Sequence, residues 1–221
     1  MYKKMQKSCR KELLNYNSSF DLSALEKNSY NVKMLLANYS MPALLKRKPS
    51  NLFIINKSKL WKDEFIRELE FEITRFDCRS FILYEDKNLI NILIYNEELL
   101  YKLLLSLDNE NFLVSFGYQL KGDKIKDTLH TLKNRFGNYY SRTNAAVCFP
   151  HEIGIILGYP IQDVEDFIRF NGKNYILSGG WKVYHNAEEA VKKLEEYKNL
   201  RQLAIQMVKE GRDLKDMSQN I

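Results

Sequence analysis

The stretch that decides the fold is FPHEIGIILGYP, residues 149–160, together with the acidic segment that follows it to residue 168. Pro150 favours the first turn of a helix, because its missing N–H would be unpaired there. Gly158 can take the left-handed conformation that ends a helix, and Pro160 then starts the next one. Apolar residues recur at three- and four-residue spacing on both sides of Gly158: Ile153, Ile156 and Leu157, then Ile161, Val164, Phe167 and Ile168. The stretch therefore predicts two short helices across a tight turn.

The same spacing occurs in DNA-reading helix-turn-helix motifs, which have a small residue, here Gly154, where the helices touch. A recognition helix lies against phosphates and presents Arg, Lys, Asn or Gln to base edges. The second helix here carries Asp163, Glu165 and Asp166 instead, and acidic groups near phosphates oppose binding. We therefore expect a packed helical corner that does not bind nucleic acid.

The composition is that of a globular protein. The chain has 221 residues, of which 45% are hydrophobic and 28% charged, enough for a substantial core. The net charge of +6 is concentrated near the start of the chain and at Lys46-Arg47-Lys48, a pattern typical of solvated segments. Disorder of the whole chain is excluded.

The sequence contains no targeting or membrane signal. Its first residues are charged, and no stretch approaches the ~18 to 20 apolar residues of a membrane helix. Cys9, Cys78 and Cys148 are odd in number and widely spaced, which favours reduced thiols over a disulfide framework. We expect a cytoplasmic protein without membrane insertion.

The remaining patterns predict an α+β fold. Strand patterning occurs at 52–55, 80–84, 89–95 and 175–184, the last around Gly179-Gly180. Helices are predicted at 61–76, 97–107, 123–136 closed by Gly137, and 186–211, with a short segment at 112–117. These elements predict a small mixed or antiparallel sheet covered by helices, with the helical hairpin 150–168 at one end, a β-hairpin and a long terminal helix.

The same patterns predict one domain over residues 38–211. Residues 1–37 are polar, with a weak helical patch through Val32, Leu35 and Leu36, and are expected to be a partly ordered basic lead-in. Residues 212–221 are expected to be a frayed tail.

Several motifs carry a family resemblance through their order and spacing. They are Gly117-Tyr118, Leu132 with Arg135, residues 149–154 and 157–160, Asp163-Val164, Phe167-Ile168, Gly172 and Trp181-Lys182-Val183-Tyr184. Together they resemble the bacterial family catalogued as domain of unknown function 3793. The resemblance spans residues 38–211 and implies a single-domain intracellular protein of anaerobic bacteria, often encoded near flavodoxin and iron-uptake functions, without implying an activity.

The chain departs from that family at three positions. The resemblance implies Cys at the positions where Ser40, Ser178 and Leu200 stand in this chain. Because serine is a poor substitute for thiolate as a ligand, we expect no iron–sulfur cluster.

Two candidate sites involve His151. Cys148 lies three residues before it, and a thiolate beside histidine can be a nucleophile, although the apolar surroundings of Cys148 favour a buried structural cysteine. His151 with Glu152 could bind a metal, assisted by His130, His185 or Asp163. Adjacent helical residues point about 100 degrees apart, so we prefer bracing, with Glu152 at the positive helix end and His151 bonded to a loop.

A third candidate site is aromatic. Tyr159, Tyr175, Trp181 and Tyr184, with Tyr118 and Lys182, could line a groove for a flat ligand such as haem, flavin or a nucleobase. The alternative is that these rings fill the core.

The function favoured by the sequence is a non-catalytic binding or regulatory module that uses the hairpin 150–168 and the Trp181 strand. Its partner is predicted to be a protein or a small flat ligand, and no particular cofactor is indicated. The first alternative is a metal-, haem- or flavin-linked protein of redox or iron metabolism with a site near His151. Lesser alternatives are a Cys–His hydrolase and a DNA-binding helix-turn-helix.

Overall fold

A computed structural model of the chain describes residues 31–57, 62–141 and 147–219. The chain divides into two compact units. Over the described residues, the sheet unit comprises 31–100 and 195–219, and the hairpin unit comprises 101–194. A single domain over 38–211 stays a prediction.

The elements confirm the predicted α+β class. In chain order they are α1 Val32–Tyr39, α2 Met41–Leu44, β1 Ser50–Asn56, α3 Lys62–Thr74, β2 Cys78–Glu85, β3 Leu89–Asn96, α4 Glu97–Leu104, α5 Leu107–Ser115, α6 Lys124–Ser141, α7 Ile153–Ile156, α8 Ile161–Arg169, β4 Leu177–Ser178, β5 Lys182–Val183, α9 Ala187–Lys209 and a 3-10 helix Leu214–Gln219.

The sheet unit is built on a three-stranded antiparallel sheet of order β1-β3-β2. The central strand β3 is apolar through Ile90, Ile92 and Ile94, which are fully buried. Helix α3 buries Leu69 and Ile73, four residues apart, in the same core cluster. Each such side chain contributes about 1.5 to 3 kcal/mol to stability on burial, so apolar packing holds the elements of this unit together.

Three predictions for the sheet unit need correction. Residues 175–184 do not join the sheet, which is purely antiparallel; they form the separate pair β4–β5, because Gly179-Gly180 turn the chain back after two residues. The predicted tail contains the 3-10 helix, whose Leu214 and Met217 are buried three residues apart. Helix α1 contains the predicted helical patch, so the boundary at residue 38 falls inside it. Trp61 lies outside the described residues.

The helices before residue 142 in the hairpin unit also differ from prediction. Phe112 lies inside α5, which runs from Leu107 to Ser115, whereas the sequence indicated a separate short segment at 112–117. Helix α6 continues through Gly137 to Ser141, because Gly137 keeps a negative φ while Gly117 and Gly158 do not.

The helical hairpin is present, with α7 and α8 joined at Gly158, whose φ is +79° as the sequence predicted. Helix α7 begins at Ile153, so Pro150 lies before it and only its carbonyl takes part, accepting from the Ile153 N–H at 3.1 Å. Gly154 faces α8 closely: a Cβ there would lie 2.7 Å from Val164 Cγ2. A side chain at this position would therefore separate the two helices.

No helix in the part of the chain that the structure describes combines the length and the apolar composition needed to cross a membrane.

Candidate functional site

Asp163 is the polar centre of the hairpin unit. It is 1% exposed, and its carboxylate accepts three hydrogen bonds, from Trp181 Nε1 at 2.7 Å and from the backbone N–H groups of Tyr184 at 2.9 Å and His185 at 3.0 Å. The bonds attach α8 to the segment 181–185. Because charge-assisted bonds are stronger than neutral ones, Asp163 fixes the position and orientation of Trp181.

The burial of Asp163 changes the argument about DNA. The sequence predicts an acidic surface formed by Asp163, Glu165 and Asp166. In the structure only Glu165 of these three is exposed, and Asp166 is half-buried. Asp166 bonds to His185 Nε2 at 2.9 Å. The absence of nucleic-acid binding stays a prediction, now supported by fewer surface charges.

Glu152 forms a second buried polar group. Its side chain is fully buried, and Oε1 accepts from Arg135 Nε and, at 3.1 Å, from the Tyr118 hydroxyl. Burial, with the Glu152 carboxylate beside it, raises the pKa of Tyr118. Glu152 stands at the N-cap position of α7 but makes no side-chain cap bond, because its carboxylate pairs with Arg135; its role as a brace stays a prediction.

His151 lies among aromatic rings. Its ring centroid is 5.3 Å from that of Phe149 and 5.0 Å from that of Phe167. Burial lowers the pKa of His151 to about 4, so the imidazole is neutral at pH 7. An imidazole with so low a pKa is a weak general base, which weighs against the Cys–His hydrolase hypothesis.

The two described cysteines, Cys78 and Cys148, lie in different environments. Cys78 is buried, and that burial raises its pKa to about 11. Cys148 is exposed, contrary to prediction, because the neighbouring Phe149 and Pro150 take the buried positions of this segment. Among residues 31–57, 62–141 and 147–219, no three His, Cys, Asp or Glu side chains are grouped to hold a metal ion.

A cleft of about 390 Å³ lies in the hairpin unit, between the α8 start, Trp181, the α5 start and the first turns of α9. Its polar lining includes Asp108, Asn109, Gln162, Asp163, His185, Asn186, Glu189 and Lys193. Pockets that bind small molecules combine an apolar or aromatic wall with a few placed polar groups. This cleft has that character.

The aromatic wall of the cleft consists of Tyr159 and Trp181. Their rings are stacked, with centroids 5.3 Å apart and planes at 19°. The Tyr159 hydroxyl donates to the Gly180 carbonyl at 3.1 Å, so both rings are held at their polar ends. Two of the predicted aromatic residues are thereby brought together on a solvent-accessible wall.

The other predicted ligand-binding residues lie elsewhere in the hairpin unit. Tyr184 is buried, with its ring 5.9 Å from that of Phe170. Tyr175 is 42% exposed, and Lys182 Nζ lies 4.0 Å above its ring. None of these three lines the cleft, and neither do His151 and Glu152.

Sequence reasoning named the aromatic wall of the cleft but missed the role of Asp163 as a buried acceptor and most of the polar rim. Asp163 stands four residues before Phe167 and three after Pro160, so helical spacing places it beside the inward stripe rather than opposite it. That signal could have identified it as buried. Asp108 carries no comparable signal, because it comes from α5 whereas Glu189 and Lys193 come from α9.

Fold and site together define an α+β protein whose helical hairpin contains the buried carboxylates of Glu152 and Asp163 and lies beside an aromatic-walled polar cleft. The model of the family described as "Protein of unknown function (DUF3793)" matches residues 36–218. The chain belongs to this family. No curated protein and no solved structure matches it.

Proposed function

We propose that the hairpin unit is a binding module and that the cleft walled by Tyr159 and Trp181 is where it binds a small ligand. The observation that carries the proposal is this stacked pair at the edge of a cleft of about 390 Å³. The aromatic wall supplies contact area at little entropic cost, and the polar rim supplies orientation.

The Asp163 contacts support a preformed site. Three donors from residues 181–185 converge on one buried carboxylate, so the wall needs little reorganisation when a ligand arrives. Preorganisation of this kind increases affinity by reducing the ordering cost of binding. The site uses the hairpin and the Trp181 strand, the surface that the sequence favoured, and does not include His151, near which the alternative hypothesis placed a site.

A fragment screen of the full-length protein tests the proposal. Uniformly ¹⁵N-labelled protein gives an indole N–H signal for Trp181, which Trp181→Phe assigns by its disappearance. We expect a subset of small polar aromatic or charged fragments to shift this signal in a saturable way. A complete screen in which no fragment moves it would contradict the proposal.

A pair of matched variants tests whether the ligand binds in the cleft. Gln162→Phe puts an aromatic ring into the cleft from the exposed surface of α8, whereas Glu165→Phe adds the same ring on the same helix outside the cleft lining. Gln162→Phe should abolish the saturable shift and Glu165→Phe should preserve it. Equal binding by both variants would locate the ligand elsewhere.

The His185–Asp166 pair favours a second candidate, acid–base chemistry at the same cleft. His185 lines the cleft, and its Nε2 lies 2.9 Å from Asp166 Oδ2, an arrangement that orients an imidazole for proton transfer. Its test is to incubate any fragment that binds with wild type and with His185→Gln and to follow product by NMR. Turnover lost in the variant while binding persists would support catalysis; binding without turnover in wild type would reject it.

A further inference from the structure

The charge of the cleft is opposite to that of the chain. The whole chain carries +6, yet the lining contains three carboxylates, Asp108, Asp163 and Glu189, against one lysine ammonium, Lys193. Resting on the proposed binding function of this cleft, we infer that its ligand is an organic cation, with an ammonium or guanidinium group facing the Tyr159–Trp181 wall.

Not every charged group that lines the cleft is available to a ligand. Asp163 already accepts three N–H donors, and Lys193 Nζ lies 2.8 Å from Glu189 Oε1. Asp108 is exposed at the cleft and makes no ion pair with any described residue. The positive charge of Lys193 offsets the negative charge of Glu189, so the cleft keeps a net negative charge. It therefore attracts a cation and repels an anion.

The aromatic wall favours the same charge. A cation is attracted to the face of an aromatic ring, and tryptophan is the strongest of the aromatic side chains in this respect. Trp181 donates its indole N–H to the buried Asp163 carboxylate at 2.7 Å, and hydrogen bonding to an anion increases the electron density of the donor's ring. The contact that positions Trp181 therefore also makes its face more attractive to a cation.

The ligand class is tested with pairs of compounds that differ in charge but little in shape. Choline is compared with its neutral carbon isostere, 3,3-dimethylbutan-1-ol, and putrescine with 1,4-butanediol and with succinate. Each is titrated into the full-length protein, and the Trp181 indole N–H signal is followed. We expect each cation to bind roughly 5-fold or more tightly than its neutral partner, from cation–π and charge attraction combined, and succinate to bind weakest.

Charge-neutralising variants locate the effect. Asp108→Asn and Glu189→Gln should each weaken choline binding by about 2- to 5-fold, the range of exposed charge pairs, and leave the neutral isostere unaffected. Glu188→Gln is the control, because Glu188 is the exposed neighbour of Glu189 on α9 but does not line the cleft. It removes the same charge from the chain and should leave choline binding unchanged.

The outcomes separate this inference from the function on which it rests. If a neutral isostere binds as tightly as its cation, or succinate binds tightest, the cationic class is overturned while the cleft stays a binding site. If Glu188→Gln weakens choline as much as Glu189→Gln does, the cleft carboxylates are not the recognition groups, and the inference is again overturned. If neither these compounds nor the fragment screen shifts the Trp181 signal, both proposals fall.

Discussion

The sheet unit and the hairpin unit differ in the interactions that hold their own elements together. In the sheet unit, one continuous apolar cluster joins α1, the sheet, α3, the later part of α9 and the 3-10 helix. In the hairpin unit, the connections around α7 and α8 go through two buried carboxylates, Glu152 and Asp163. Apolar packing is non-directional and tolerates changes of similar volume, whereas a buried carboxylate requires its particular donors. The hairpin unit should therefore be the more sensitive to isosteric polar changes.

The largest effect is expected from Asp163→Ala. The change leaves the Trp181 indole N–H and the buried Tyr184 amide without their acceptor, and breaking a buried charged group from its partners costs about 3 to 5 kcal/mol. Amide hydrogen exchange of the full-length protein should show the loss in residues 101–194. Asp166→Ala is the control, because Asp166 is half-buried and pairs only near the surface; equal losses in the two variants would contradict the role given to Asp163.

Glu152→Gln should have the next largest effect. It keeps the shape of the side chain but removes the charge that pairs with Arg135 and accepts from Tyr118, for a loss of about 3 kcal/mol. The same type of change on the surface, Glu165→Gln, should alter the free energy of unfolding by less than about 0.5 kcal/mol. Chemical denaturation of both variants measures the difference, and a Glu152→Gln protein as stable as Glu165→Gln would show that shape, not charge, matters there.

The contrast between the units also explains what the sequence could predict. The apolar periodicities of Leu69 and Ile73 and of Ile90, Ile92 and Ile94 indicated the strand–helix–strand–strand order correctly, because burial is encoded in the residues themselves. The acceptor role of Asp163 depends on backbone N–H groups 21 and 22 residues later, and a backbone amide has no side-chain signature. Strand pairing is hidden in the same way, so residues 175–184 were assigned to the wrong sheet.

The titration of His151 in the hairpin unit should make the stability of the protein depend on pH. The pKa of His151 is about 4 in the folded protein against an ordinary value near 6.5, so between these values the unfolded chain binds more protons. The contribution of His151 to the free energy of unfolding should fall as pH decreases from about 6.5 to about 4 and level off below that range, for a total change of about 3 kcal/mol.

The difference between wild type and His151→Ala isolates this contribution. At pH 7 the variant should lose about 0.5 to 2 kcal/mol of stability through lost contacts. Because the His151 contribution that only wild type loses is about 3 kcal/mol, the gap between the two proteins should narrow as the pH is lowered and reverse sign near pH 4. Thermal melts across this range provide the measurement. A gap that stays constant with pH would show that His151 does not titrate differently on folding.

The last prediction tests an apolar contact in the hairpin unit. Gly154→Ala places a Cβ 2.7 Å from Val164 Cγ2, closer than atoms can approach, so the α7–α8 contact must open at a cost of about 1 to 3 kcal/mol. Shortening the opposing side chain in Gly154→Ala/Val164→Ala should recover part of this loss, because the added methyl then occupies the space that valine leaves. Denaturation of the two single variants and the double variant gives the coupling energy. Additive losses would mean that the hairpin adjusts by moving its backbone, and the contact would then be less constrained than the Asp163 bonds beside it.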